Sequence, residues 1–397
     1  SITIPDYLES RFNDRSHRLR LVAAIALVVF VTIYVSAQIH ATGKAFESFL
    51  EWEYSTGAIV GFTVVLLYIL TGGFLAVVWS DVIQGLLMFL GLTLLPLWAI
   101  FKGGGTSELM ARAGEIDPNL LTAHGGSGWT MPTILSTIAF VAIGLGFLGS
   151  PQIFVRFLAL RSESEVKKGA AVALIWTLLA DSGAVFAGLF GRALLTAPGQ
   201  DVTAILGQGA EDVLPLLVED LFPVLIVGVY VAIVLSAIMS TIDSLLVLAA
   251  SAAVRDVYQK VLRPDLTDAS LTRLARISTF ALASLALLIA LLVAHYNENQ
   301  TVFWFVIFGW TGIAATFCPT IMLSLFWPRF TRSGALAAMI TGFLCVPLFK
   351  FVLYAKGGPL SEFAKLEEMI PAFAGSFLAG IVVSLLTSKE VEGAAAD

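Results

Sequence analysis

Between residues 231 and 251 the chain reads VAIVLSAIMSTIDSLLVLAAS, long enough to cross a bilayer yet rich in side-chain oxygen. At about 100° per residue, Ser236, Ala237, Ser240, Thr241, Asp243, Ser244 and Ser251 fall on one side of a helix. Leu235, Ile238, Met239, Ile242, Leu245, Leu246 and Ala249 fall on the other. Hydroxyls and a carboxylate facing lipid tails are costly, so the polar stripe must look at neighbouring helices or a wet cavity. Ala237, Ser240 and Thr241 stand at i, i+3 and i+4. Two hydroxyls and a carbonyl beside a small side chain can there converge on one small, hard cation, which makes the stripe half of a sodium site. The same spacing also suits hydroxyls that bond back one turn or tie helices together.

Three other stretches carry chemistry. In GLGFLGSP, glycines 144, 146 and 149 precede Ser150 and Pro151, which strips helix propensity from the middle of an apolar run. Such a stretch is either a broken helix exposing backbone to a solute, or a proline kink with glycines for close packing. Arg156, one turn further, reads as a charge at the inner membrane edge. Asp181, with Thr177 one turn before it, lies in mid-span, where a carboxylate is either a functional group or paired with another helix. Asp81 and Gln84 read either as an N-cap with its capping box, or as a carboxylate near the 240–244 stripe. Trp310 faces either a solute path or its packing neighbours.

The elements that position these residues are membrane helices. The chain is 58% hydrophobic and 13% charged, which excludes an ordinary soluble domain. Spans are expected near 21–43, 55–78, 82–102, 132–158, 167–195, 221–251, 274–295, 301–326, 333–355 and 370–387. Residues 1–20 read as a polar surface segment before the first helix. With that segment cytoplasmic, sixteen of the 23 Lys and Arg, including Arg161 and Lys389, fall inside and seven outside, as the positive-inside rule requires. Both chain ends are then cytoplasmic. The acidic loop holding Asp201, Glu211, Asp212, Glu219 and Asp220 falls outside and reads as solvated. Cys318 and Cys345 both lie in apolar runs, so neither a disulfide framework nor a zinc cluster is expected. No HExxH, GxSxG, Walker or CxxC motif occurs, and no basic surface for nucleic acid. Nothing in these patterns points to an enzyme.

Taken together, TIPDYLESRF, TGGFLAVVWSDVIQ, GLGFLGSPQIFVRFLA, SAIMSTIDSLL with SAAVRDVYQ, and GWTGIAATFCPTIMLSLFWPRFTRSG resemble the sodium:solute symporter family, above all its sodium/proline branch. The resemblance implies an all-α, polytopic bundle of the inverted-repeat, amino-acid-transporter type, with about ten helices forming one transmembrane symporter domain over residues 1–397. Family members have about thirteen spans. The opening at Ser1, without an initiator Met, fits a piece lacking the first helices, and such a piece alone is expected to be inactive. The resemblance implies sodium symport of a small solute, an amino acid such as proline, across the cell membrane. A solute sensor, a channel, or symport of an organic acid or sugar are the alternatives.

It assigns sodium to Ala237, Ser240 and Thr241, the cation-sensitive acid to Asp81, and substrate-side positions to Ile143, Phe147 and Pro151. Asp243 and Ser244 on the stripe are further ion-coupling candidates, and Thr177 and Asp181 further substrate candidates. The proline branch has Trp where Ile143 stands and Tyr where Phe147 stands, which changes the polar inventory of the pocket.

Overall fold

In hydrocarbon a backbone must satisfy its own polar groups, and apolar runs of this length do so as helices. The computed structural model describes residues 3–387 except 161, 264, 266 and 298; the side chains of 71–76, 268 and 269 are outside the description. Arg161 and Lys389, counted above among the inner charges, therefore lie outside the described residues. In order the helices are α1 Ile4–Phe12, α2 Arg18–Leu50, α3 Tyr54–Lys102, α4 Thr106–Ile116, α5 Met131–Ala142, α6 Pro151–Leu158 and α7 Glu163–Leu195. There follow α8 Val202–Leu206, α9 Val213–Leu221, α10 Val224–Ser251, α11 Asp268–Tyr296, α12 Val302–Phe326, α13 Arg332–Leu348 and α14 Met369–Thr387. A 3-10 turn, Ile143–Leu148, separates α5 from α6, and a π-helical stretch, Ala252–Leu262, prolongs α10.

Among the described residues nine helical stretches are long and apolar enough to cross a bilayer, and Tyr54–Leu70 is a shorter apolar one beside them. These are the ten segments expected from hydropathy. The expected turn near Asp81 is not a helix boundary, because α3 is helical on both sides of it. Nor is α3 one straight rod. Tyr68 and Ser80 both donate to the same oxygen of Asp243, at 3.0 and 3.3 Å. Twelve residues of straight helix would separate them by roughly 18 Å, too far for both side chains to reach one oxygen.

The bundle is built around α12, whose most apolar window is 83% buried. Gly309 and Gly312 let α2 approach it closely: a methyl on either would strike Tyr34 or Phe30. The apolar side of α10 (Ile238, Ile242, Leu245, Leu246, Ala249) is buried in the same core.

Residues 3–20 are not a loose surface segment. Thr3 caps α1 by accepting from the Asp6 amide, Pro5 stands in its first turn, and Ile4 and Leu8 at i, i+4 are fully buried. Arg20, 4% exposed, holds the segment down through Asp6 (2.7 Å), Glu9 (2.7 Å) and the fully buried Asp256 (2.8 Å). The hydrogen bond from Arg20 keeps the Glu9 carboxyl below its ordinary range. Pairing is what makes the burial of these charges tolerable, and an alternating count of polar residues could not reveal it.

The acidic loop is likewise anchored. Glu211 accepts from the Val302 amide at 2.6 Å and Asp212 from Ser48 at 2.7 Å. Burial pushes the Glu211 carboxyl up, and the Val302 amide partly offsets that.

Candidate functional site

A cavity of about 880 Å³ opens where α10, the 3-10 turn, α6, α3, α7 and α12 meet. Ser240, Thr241 and Ser244 of α10 line it, opposite Ile143 and Phe147 of the turn. Asp81, Arg156 and three aromatic side chains, Tyr34, Trp176 and Trp310, complete the wall. The interrupted helix and the polar stripe therefore line one cavity. The turn is also a packing device. A side chain on Gly146 would strike Trp310, and one on Gly149 would meet Ile321 at 2.9 Å. The interruption and the close packing of the GLGFLGSP stretch are thus both present.

Ser240 donates to the Ala237 carbonyl at 2.9 Å, and Thr241 to the same oxygen at 3.3 Å. Two hydroxyls thus gather on one carbonyl at the edge of the cavity. These are back-bonds of the ordinary helical kind, and they also assemble three oxygens of the type that coordinates a hard monovalent cation.

The carboxylate of Asp81 lies neither at a cap nor in solvent. Its Oδ2 accepts from Arg156 Nη2 at 2.7 Å and from Ser244 Oγ at 3.4 Å, while the same guanidinium nitrogen donates to Ser244 at 3.0 Å. Arg156, read from the sequence as a membrane-edge charge, cross-links α6, α3 and α10. Asp243 departs from the stripe. It is fully buried and bonded to Tyr68 and Ser80 of α3, away from the cavity lining. Oδ1 of Asp81 and Oδ1 of Asp243 are both buried without a hydrogen-bond partner, an uncommon condition for carboxylate oxygens.

Three substrate candidates lie elsewhere. Val172, Ala173 and Trp176 turn α7 toward the cavity. At 100° per residue Thr177 and Asp181 are rotated roughly 90° and 130° away from that direction, and both are exposed. Pro151 is buried at the start of α6, beneath the lining rather than in it. Sequence reasoning missed Tyr34, because a single tyrosine in an apolar span carries no periodic signal. It missed Trp176 for the same reason, although its indole donates to the Gly85 carbonyl at 3.2 Å and links α7 to α3.

Two further cavities continue the path along α10. One of about 430 Å³ shares Gln152, Arg156 and Ser244 with the central cavity and reaches Thr3 and Ser251 near α1. The other, of about 580 Å³, shares Val306 with it and reaches Lys44, Ser48, Glu211 and Gln300 toward the far end of α2. The partition on the α1 side is the Asp81–Arg156–Ser244 cluster.

Comparison with known proteins gives one family. The model of the sodium:solute symporter family matches residues 1–342. The high-affinity proline transporter PutP of Bacillus subtilis (strain 168) is 38% identical over 387 residues, covering 98% of this chain and 77% of that protein. The sodium/proline symporter of Escherichia coli (strain K12) is 33% identical over 392 residues, covering 97% and 73%. Among solved structures, a Na+-coupled sialic acid symporter in a substrate-bound outward-open state matches with a TM-score of 0.72 at 20% identity. That match covers 97% of this chain and 77% of the other, and at this identity it speaks for the fold.

Proposed function

The chain belongs to the sodium:solute symporter family, and on that premise we propose that it moves proline, or an amino acid of similar size, together with sodium by alternating access. The relatives whose names specify proline motivate the solute. The observation that carries the reading is the meeting of Ser240 and Thr241 on the Ala237 carbonyl, facing a cavity whose opposite wall is an interrupted helix. Sodium is bound there when the hydroxyls turn their lone pairs from the helix toward the ion. Asp81 and Ser244 couple the ion to the partition, because they hold Arg156 when no ion competes for the carboxylate.

The solute occupies the central cavity. Ile143 and Phe147 offer it apolar surface, so polar recognition falls to Tyr34 and to the Asp81–Arg156 pole, with the aromatic rings receiving its hydrocarbon body. Coupling requires that each ligand prefer one conformation, hence that the site straddle moving parts. α6 beyond the turn and the fixed core of α2, α10 and α12 are those parts. We assign the α1 side to the cytoplasm on the charge bias, and residues 1–397 to one membrane domain.

The test is uptake of radiolabelled proline by the full-length protein in liposomes, with and without an inward sodium gradient, beside other amino acids, an organic acid and a sugar. Accumulation that follows the sodium gradient and is competed by proline is the expected result. Equal flux without the gradient refutes coupling, and sodium-driven uptake of a different solute refutes the choice of proline.

A further inference from the structure

Trp310 holds a position that neither the family match nor the ion site accounts for. It is 7% exposed, lines the central cavity, and its indole N–H donates to the Ile143 carbonyl at 3.0 Å. Its ring packs on Phe147 with centroids 4.9 Å apart. It also fills the space over Gly146, where any side chain would collide with it. Two turns further along α12, Cys318 donates from its fully buried thiol to the Gly146 carbonyl at 3.3 Å. An interrupted membrane helix needs donors from other helices to satisfy its backbone, and α12 supplies two of them to one 3-10 turn.

We propose that Trp310 is a positioning residue for solute recognition: it sets the geometry of the interrupted segment and so places Ile143 and Phe147 against the solute. The inference rests on the proposed function for its transport arm. Its second arm does not. The indole holds the turn by one buried hydrogen bond and by shape, and the turn in turn covers Cys318. Loosening the first exposes the second.

The experiment uses Trp310→Phe, which keeps a ring and removes the N–H, and Gly146→Ala, which keeps the indole but drives a methyl into it. Alkylation of Cys318 by N-ethylmaleimide is followed in a Cys345→Ser background, where Cys318 is the remaining cysteine of the chain. One buried hydrogen bond is worth about a factor of ten, so Trp310→Phe is expected to speed alkylation about tenfold through local opening, and Gly146→Ala, which displaces the ring, to speed it in the same direction. In liposomes Trp310→Phe is expected to raise the proline concentration for half-maximal uptake by about the same factor. The rise in half-maximal concentration is expected to exceed any fall in maximal rate, and the sodium requirement at saturating proline is expected to follow that of the parent protein. Unaltered Cys318 reactivity in both variants overturns the positioning role, whatever uptake does. So does a fall in maximal rate with an unchanged half-maximal concentration. Failure of the parent protein to show sodium-driven uptake counts against the proposed function alone, since alkylation still decides the role of Trp310.

Discussion

Replacing Ser240 and Thr241 together by alanine is the sharpest probe of the ion site. In the resting helix each hydroxyl makes one bond, to the Ala237 carbonyl at 2.9 and 3.3 Å. A hydroxyl on a cation is worth about 1.5–3 kcal/mol, from which the back-bond it gives up, about 1 kcal/mol, must be subtracted. The net, about 0.5–2 kcal/mol per hydroxyl, raises the sodium needed for half-maximal uptake roughly 2- to 30-fold each, about 8-fold at the midpoint. Both hydroxyls share one ion, so their effects are coupled, and the pair is expected nearer thirtyfold than a hundredfold. Stability should hardly move. The lost bonds lie within one helix, and alanine is the better helix former. The assay is a sodium titration of proline uptake at fixed membrane potential, with thermal unfolding in detergent as control. Ser251→Ala, on the same stripe but lining the neighbouring cavity, is the internal reference. An unchanged sodium requirement in the double variant, or an equal rise in Ser251→Ala, refutes the assignment.

Asp81→Asn and Arg156→Gln should act in opposite directions. The first raises the sodium requirement by removing the carboxylate, and the second lowers it by removing the competing cation; about three- to tenfold is expected for so exposed a pair, read from the same titration. Arg20→Met should lower stability by about 3–5 kcal/mol, because it strands the fully buried Asp256 beside Asp6 and Glu9. A melting temperature unmoved in detergent would contradict that. The Glu9 carboxyl sits below its ordinary range when folded, so its contribution is complete above that range and is lost as pH falls through the lowered value. The melting temperature should therefore drop on acidification below about pH 4, and drop less in Glu9→Gln.

Hydropathy made the helices legible because a membrane imposes one solution on each apolar run. The interruption at 144–151 was legible for the complementary reason: glycine and proline act locally, and their effect on a helix does not wait for a partner. The direction of a side chain within a span is different. Asp243 and Ser240 share a helical face by arithmetic, yet one turns to Tyr68 on α3 and the other to the cavity. Asp181 has the chemistry of a site residue and the wrong rotation. What decides these cases is which neighbour is close, and the pairs that matter are distant in sequence: Arg156 with Asp81, Arg20 with Asp256.

The same logic explains why the partners of Arg156 were not legible in the sequence. A lone arginine one turn past a helix break looks like an interfacial charge until the carboxylate across the cavity is in view. Once paired, its meaning changes, because a guanidinium between two cavities holds them apart only while nothing else claims Asp81. Under the proposed function sodium is such a claimant. An ion that binds beside Ser244 weakens the cross-link it competes with, and a helix already interrupted at Gly146 and Gly149 is free to yield. On the proposed assignment Ser240 and Thr241 of the ion site lie within one helical turn of Ser244 in the partition, so coupling requires only that short path.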